Sequence, residues 1–281
     1  MQPVFEFDAV SALSKGQRDY QEDAIITDFA RGADVGVVVL ADGMGGHAAG
    51  DVASKIVVTE VFSELMFQRG ETSRFERDVP GTLRAAAMAA NACLKGHVQA
   101  YPETHGMGAT LVAAVVADRH LYWISIGDSP LFLFRAGALI QLNEDHSMAP
   151  QIDFMAKSGL LGKEEAEKHP DRNTLTSVLF GEDVPKIDCP DAPVDLQDGD
   201  ILLVASDGLQ FLRNEEIEAA LRRNRSSPSA DIADDLLQRV MALDDPDLDN
   251  VSFSIIKIQD YDKADQARAQ SAGRSGIRCV G

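Results

Sequence analysis

Three apolar runs in this 281-residue chain each end in an aspartate beside a glycine: VGVVVLADG at Asp42-Gly43, LYWISIGD at Gly127-Asp128 and ILLVASDG at Asp207-Gly208. A fourth aspartate, Asp249, precedes the run VSFSIIKI. Runs this short and this rich in β-branched residues read as buried strands, and buried strands stack into sheets that share a rim. Each run therefore delivers a carboxylate to that rim. Two like charges about 4 Å apart repel by roughly 4 kcal/mol at an effective dielectric near 20. Acids gathered in this way persist by holding protons or by binding hard divalent cations. The pattern points to a metal-dependent hydrolase.

A hydrophobic content of 45% over this length supports one large core or two modest ones. No segment approaches the roughly 18 uninterrupted apolar residues of a membrane span, so no membrane insertion is expected. The first residues, MQPVFEFDAV, lack a basic leader and an apolar signal core. Cys93, Cys189 and Cys279 are scattered without metal-ligand spacing, as reduced thiols are. Both features suggest a cytoplasmic location. The formal charge of −19, from 45 acidic and 26 basic residues, argues against nucleic acid as a partner. An anionic substrate must be attracted locally, by metal ions and one or two arginines.

Strands and helices do not alternate as in a βαβ fold. Residues 48–69 and 81–100 are Ala-rich and roughly 3.6-periodic, separated by the polar stretch ETSRFERDVPG, and predict a paired helical layer. ATLVAAVVAD, HLYWISIGD, LFLFRAG and ALIQL predict an antiparallel meander forming one sheet. Residues 148–182 carry two short helical patterns and too few apolar residues for a domain, which predicts a mobile flap. NEEIEAALRR and SADIADDLLQRVMAL predict two further helices before the last strand. From Gln259 the apolar periodicity ends, so residues 1–258 are expected to form a single catalytic domain and 259–281 a disordered tail.

Around Asp42, the segment VVVLADGMGGHAAGDVAS also satisfies a dinucleotide-binding G-x-G-x-x-A pattern. Asp42 directly before the first glycine would face a pyrophosphate with like charge, and no second parallel strand carrying an acid follows. Glycines that let the Gly43 carbonyl and the Asp42 carboxylate face one ion are the better reading. In RDYQEDA, Arg18 precedes the acid pair Glu22-Asp23, and in a strand Arg18 and Glu22 would share a face. An arginine there suits a tetrahedral phosphate, and a surface salt bridge is the plainer alternative. No cysteine opens a C-x₅-R loop, which excludes cysteine-phosphatase chemistry.

RDYQEDA, ADGMGGHAAGDVAS, GMGAT, IGDS, DHS, HPDRN, ASDGL and DN, in this order over about Gly16 to Ile258, resemble the metal-dependent protein phosphatases, the type 2C-like Ser/Thr family, and most of all its bacterial single-domain members. The resemblance implies an α+β fold, a four-layer α-β-β-α sandwich of two antiparallel sheets flanked by helical pairs, in agreement with the layers read above. It implies two Mn²⁺ or Mg²⁺ ions, Asp42 bridging them, Asp207 and Asp249 completing one site and the Gly43 carbonyl serving the other. Glu22 and Asp23 match the family's acidic pair, which ligates directly or through water. Asp128, with Asp207, matches a third, weaker metal site, and Arg18 the phosphate-holding arginine. The implied activity is hydrolysis of phosphoserine and phosphothreonine by a metal-bridging hydroxide. The implied setting is bacterial signalling, with a Ser/Thr kinase and its phosphorylated substrates as partners.

Two departures stand out. Pro130 follows Ser129 where the family usually has arginine, and Met44 takes the place of a histidine found in eukaryotic members. Pro130 is the one feature favouring the alternative of a regulatory pseudo-phosphatase that binds a phosphoprotein without turnover. Intact Asp42, Asp207 and Asp249 oppose it. His47, His146 and His169 are expected to satisfy local hydrogen bonds rather than act in catalysis.

Overall fold

The computed structural model of the chain describes residues 4–30, 33, 35–45, 48–70 and 78–261. One antiparallel sheet has the order β1 (Phe5–Ser14), β11 (Val251–Asp260), β10 (Ile201–Ala205), β7 (Leu131–Arg135), β8 (Ala138–Gln141). The other runs β2 (Asp23–Asp28), β3 (Val35–Met44), β5 (Leu111–Ala117), β6 (His120–Ile126), β9 (Val194–Asp195), with β4 (Gly108–Ala109) paired to the end of β3. Helices α1 (Ala48–Gly70) and α2 (Val79–Ala100) cover the β2–β9 sheet, while α5 (Asn214–Asn224) and α6 (Ser229–Met241) cover the β1–β8 sheet. This is the expected four-layer sandwich.

Alternation along each strand explains the layering. Val37, Val39 and Ala41 of β3 pack under α1 and α2, whereas Val38 and Leu40 face the opposite sheet. On β10, Ile201 and Leu203 meet α5 and α6, and Leu202 and Val204 point inward. Strands covered on both faces need unbroken apolar runs, and each Val or Leu so buried contributes about 1.5–3 kcal/mol. Helix ends are tied to the sheets or to their own first turn. Asp8 of β1 accepts the Ser229 N–H at 2.8 Å at the start of α6, and Asp78 accepts from Gly81 at 2.8 Å at the start of α2.

The meander does not form one sheet. β5 and β6 join one sheet and β7 and β8 the other, because the chain crosses between them at Gly127–Pro130. Gly127 has φ 111°, and a Cβ there would lie 2.6 Å from Thr110 Cγ2. Asn143 accepts the Leu131 N–H and donates to the Ser129 carbonyl, at 2.7 and 3.0 Å. Pro130 is buried, and its carbonyl accepts from Ala205 at 3.0 Å, which seats the crossing chain against β10. Asp128 is thereby left at the rim between the sheets.

β11 outlasts the expected domain end: Gln259 and Asp260 pair with Glu6 and Phe5, and the Tyr261 N–H donates to the Val4 carbonyl at 3.1 Å. The tail expected beyond them, from residue 262, lies outside the described residues, as do residues 71–77 of the inter-helix connection and His47. Between β8 and β9 stand α3 (Ala149–Lys157) and α4 (Lys163–Glu167), followed by an extended stretch bridged to the body at Ser147–Leu175 and Ala109–Leu179.

Candidate metal centre

Asp42 of β3 is the register partner of Asp23 on β2. Directly opposed residues of an antiparallel pair put their side chains on one face, so two carboxylates are brought together by strand geometry alone. Asp128 sits in the crossing turn, Asp207 opens a short 3₁₀ turn after β10, and Asp249 lies two residues before β11. A cavity of about 530 Å³ is lined by Arg18, Glu22, Asp42, Gly43, Asp128, Asp207 and Asp249, with Met44, Thr110, Asn173, Leu175 and Val178 among the rest of its wall. Of the metal-ligand and phosphate-binding candidates, Asp23 alone is not part of that wall, and it is buried. Its Oδ2 accepts the Ser206 hydroxyl at 2.8 Å. Among the described residues no histidine lines the cavity.

Electrostatics at the rim follow from burial. Burial pushes Asp23 up to about 7, with repulsion from Asp207 and Asp249 adding to it against the hydrogen bond from Ser206. Asp128 is likewise pushed up to about 7, by burial and then by Asp207 and Asp145. Asp42 is held well above the ordinary carboxylate range by burial and by its acidic neighbours, Asp23 first among them. Asp207 is raised by burial and by Asp249, and the Arg18 charge partly offsets the rise.

Two local features suit hard, oxygen-ligated cations. Asp23 Oδ1 and Asp207 Oδ1 are buried without a hydrogen-bond partner among the described residues. Glu22 Oε1 and the Gly43 carbonyl oxygen also converge over Gly50, at 2.8 and 2.9 Å from where its Cβ would stand. A carbonyl and a carboxylate oxygen meeting at a position only glycine leaves open form half of a cation cradle. As placed, no three His, Cys, Asp or Glu side chains among the described residues are grouped closely enough to hold one ion. One of the acids is balanced by a basic side chain instead: Asp249 pairs with Arg18 at 2.5 Å.

Arg18 departs from the sequence expectation. It lies in the β1–β2 loop rather than on a strand, and its partner is Asp249, not Glu22. With 55% of its side chain exposed, it stands at the cavity mouth.

A carboxyl whose folded pKa exceeds its unfolded one binds its proton more tightly in the folded state. Its contribution is fully present below the unfolded value of about 4 and is lost as pH rises through about 7. Metal-free protein is therefore expected to melt at a higher temperature near pH 5 than near pH 7.5. Saturating Mn²⁺ should flatten that slope, because cations replace the protons. Thermal melts with chelator and with Mn²⁺ check this; a metal-free Tm that rises across the interval would contradict it.

The supporting residues were harder to foresee. Asn250 Oδ1 accepts the Glu22 N–H at 2.7 Å, and its Nδ2 donates to the carbonyls of Lys15 and Tyr20, both at 2.9 Å. One buried carboxamide thus fixes the loop that carries Arg18 and Glu22. Thr110 Oγ1 accepts the Asp42 N–H at 3.0 Å and shares a hydrogen bond with Ser129 at 2.8 Å, linking β3 to the Asp128 turn. Each stands inside a short motif visible in the sequence, DN and GMGAT. Their targets are backbone groups and Ser129 of IGDS, and no local pattern pairs them.

The family model for protein phosphatase 2C matches residues 11–244. The serine/threonine protein phosphatase PstP of Mycobacterium tuberculosis is 33% identical over 232 residues, covering 80% of this chain and 41% of PstP. This chain therefore spans about two fifths of the length of that relative. Protein phosphatase PhpP of Streptococcus pneumoniae is 30% identical over 249 residues, covering 88% of this chain and 96% of PhpP. A crystal structure of the PstP catalytic domain in complex with two manganese ions superposes with a TM-score of 0.72 at 27% identity, covering 91% of this chain and 100% of that one.

Proposed function

This chain belongs to the protein phosphatase 2C family, and we propose that it is a metal-dependent phosphatase of phosphoserine and phosphothreonine in proteins. One observation carries the reading: Asp42, Asp128, Asp207 and Asp249, from four separate segments, line one cavity together with Glu22, the Gly43 carbonyl and Arg18. Two divalent cations, Mn²⁺ or Mg²⁺, are the cofactors this donor set fits. Two manganese ions in the PstP catalytic domain support the number. Asp42, Asp207, Asp249, Glu22 and the Gly43 carbonyl would hold them, Asp23 acting from beneath through Ser206, and Asp128 would serve a third, weaker site. When bound, such ions supply a water acidic enough to attack phosphorus near neutral pH and offset the charge of the phosphate.

The chain's own residues set the rest. Arg18, more than half exposed at the cavity mouth, would present a planar fork of donors to two phosphate oxygens. This local cation matters because the protein's overall charge of −19 opposes an anionic substrate. No described cysteine can act as a nucleophile here. Cys189 is buried, with its thiol pushed up to about 11 by burial, and neither Cys93 nor Cys189 lines the cavity. Among the described residues no helix is long and apolar enough to cross a membrane. A cytoplasmic setting, opposing a Ser/Thr kinase and acting on its phosphorylated substrates, fits the reading.

The test is release of phosphate from a phosphothreonine peptide. Turnover is expected with Mn²⁺ and should vanish with chelator. Folded, Mn²⁺-loaded protein that releases none would refute the assignment, and phosphopeptide binding without release would favour the pseudo-phosphatase.

A further inference from the structure

His146 is 1% exposed, yet it is not part of the cavity wall. Its ring Nδ1 accepts the Gly127 N–H at 3.3 Å, and its own N–H donates to the Gly127 carbonyl at 3.0 Å. The His146 carbonyl in turn accepts twice from Thr176, from the N–H at 2.7 Å and from the hydroxyl at 2.9 Å. One residue on, Ser147 bridges to Leu175. Gly127 immediately precedes Asp128, while Asn173, Leu175 and Val178 form part of the cavity wall. His146 thus stands between the turn that carries Asp128 and the segment that flanks the opening.

The ring does more than fill space. Gly127 holds a left-handed conformation in which Thr110 leaves no room for a Cβ, so the turn is set by its backbone and its N–H is buried. A buried peptide N–H without an acceptor costs about as much as a lost hydrogen bond. Acceptance at Nδ1 requires a neutral ring with its proton on Nε2, and burial lowers the His146 pKa against the opposing pull of Glu144, Asp188 and Asp145. Nε2 has no hydrogen-bond partner among the described residues, since Glu144 Oε2 is 3.8 Å away. A residue needed only for its volume would be apolar here. The nitrogen that is used is the one facing Gly127.

We propose that His146 is a positioning residue: its Nδ1 fixes the Gly127–Asp128 turn at the cavity, while its backbone carbonyl holds the same residue to Thr176 in the wall. The inference rests on the function proposed above only in taking this cavity as the working site.

Two substitutions separate the acceptor from the volume. In His146→Asn, the Oδ1 falls close to the position of Nδ1. His146→Leu fills similar space and accepts nothing. Amide exchange at Gly127, read by NMR in metal-free protein, is expected to be slow in the wild type and in His146→Asn, and about tenfold or more faster in His146→Leu. With Mn²⁺, kcat on a phosphothreonine peptide should fall about tenfold in His146→Leu and stay within about threefold in His146→Asn, KM changing less than kcat in both. A Gly127 amide that exchanges freely in the wild type overturns the proposal, whether or not either variant folds. So does an Asn variant that falls as far as Leu, or a Leu variant that matches the wild type. Exchange is read without turnover, so an inactive wild type would sink the phosphatase reading and leave this one standing.

Discussion

Asp207→Asn is expected to lower Mn²⁺-dependent turnover by about 10²–10³-fold, the several kcal/mol that metal-held charge stabilisation supplies to such a reaction. The change is nearly isosteric and removes one negative charge from a centre whose neighbours are Asp42 and Asp249. Because burial raises the Asp207 pKa in the metal-free protein, its ionised form destabilises the fold, and an amide there should leave the metal-free Tm unchanged or higher. Lost activity with retained stability is therefore the signature. Steady-state kinetics across a Mn²⁺ titration, together with thermal melts with and without chelator, will show it. Turnover equal to the wild type would move the centre elsewhere in the cavity. A collapse in metal-free stability would make Asp207 a structural residue instead.

Gly208→Ala is expected to act in the opposite way, through the fold. A Cβ at this buried glycine would lie 1.9 Å from the Asn250 carbonyl oxygen, 2.9 Å from the Asn250 carbonyl carbon and 3.3 Å from Val251 Cα. All three atoms are backbone at the start of β11, a strand paired on both sides, so no side chain can swing aside. The turn carrying Asp207 must lift away from the segment carrying Asp249. A loss of about 3 kcal/mol or more is expected, at the upper end of overpacking penalties, with Mn²⁺ affinity falling alongside it. Denaturant unfolding and calorimetric Mn²⁺ binding measure the two. A variant as stable as the wild type would show that the two backbones are free to part.

These contacts also explain why Asp-Gly pairs were informative in the sequence. Asp42 and Asp207 are each followed by a glycine that has no room for a side chain: Gly43 would meet the Gly50 carbonyl oxygen at 2.1 Å, as Gly208 meets Asn250. The acids reach one place because their backbones touch, and touching backbones require glycine. The layers were legible for a related reason. Strands buried on both faces, such as those holding Val37–Ala41 and Ile201–Ala205, leave continuous apolar runs that stand out from amphipathic helices.

Other features left no such trace. β5–β6 and β7–β8 have the same apolar character, so nothing in their composition says that they belong to different sheets. Only the Gly127–Pro130 crossing separates them, and its geometry depends on Thr110, Asn143 and Ala205. Gln259 and Asp260 extend β11 through pairing with β1 although their side chains carry no apolar signal. Arg18 looked like a neighbour of Glu22 because four residues separate them, whereas its partner Asp249 stands 231 residues away.

The order of the strands carries one more consequence. β11 is the last strand of the described fold, yet it lies between β1 and β10 inside its sheet, and Asp249 and Asn250 arrive with it. During synthesis on a ribosome, a chain that has already folded its earlier helices and hairpins would still lack a working centre. Ion capture would wait for that final insertion, which closes the gap beside β1 and brings the last carboxylate to the rim. Partly made chains would then lack the Asp249 carboxylate at the rim, however long they persisted.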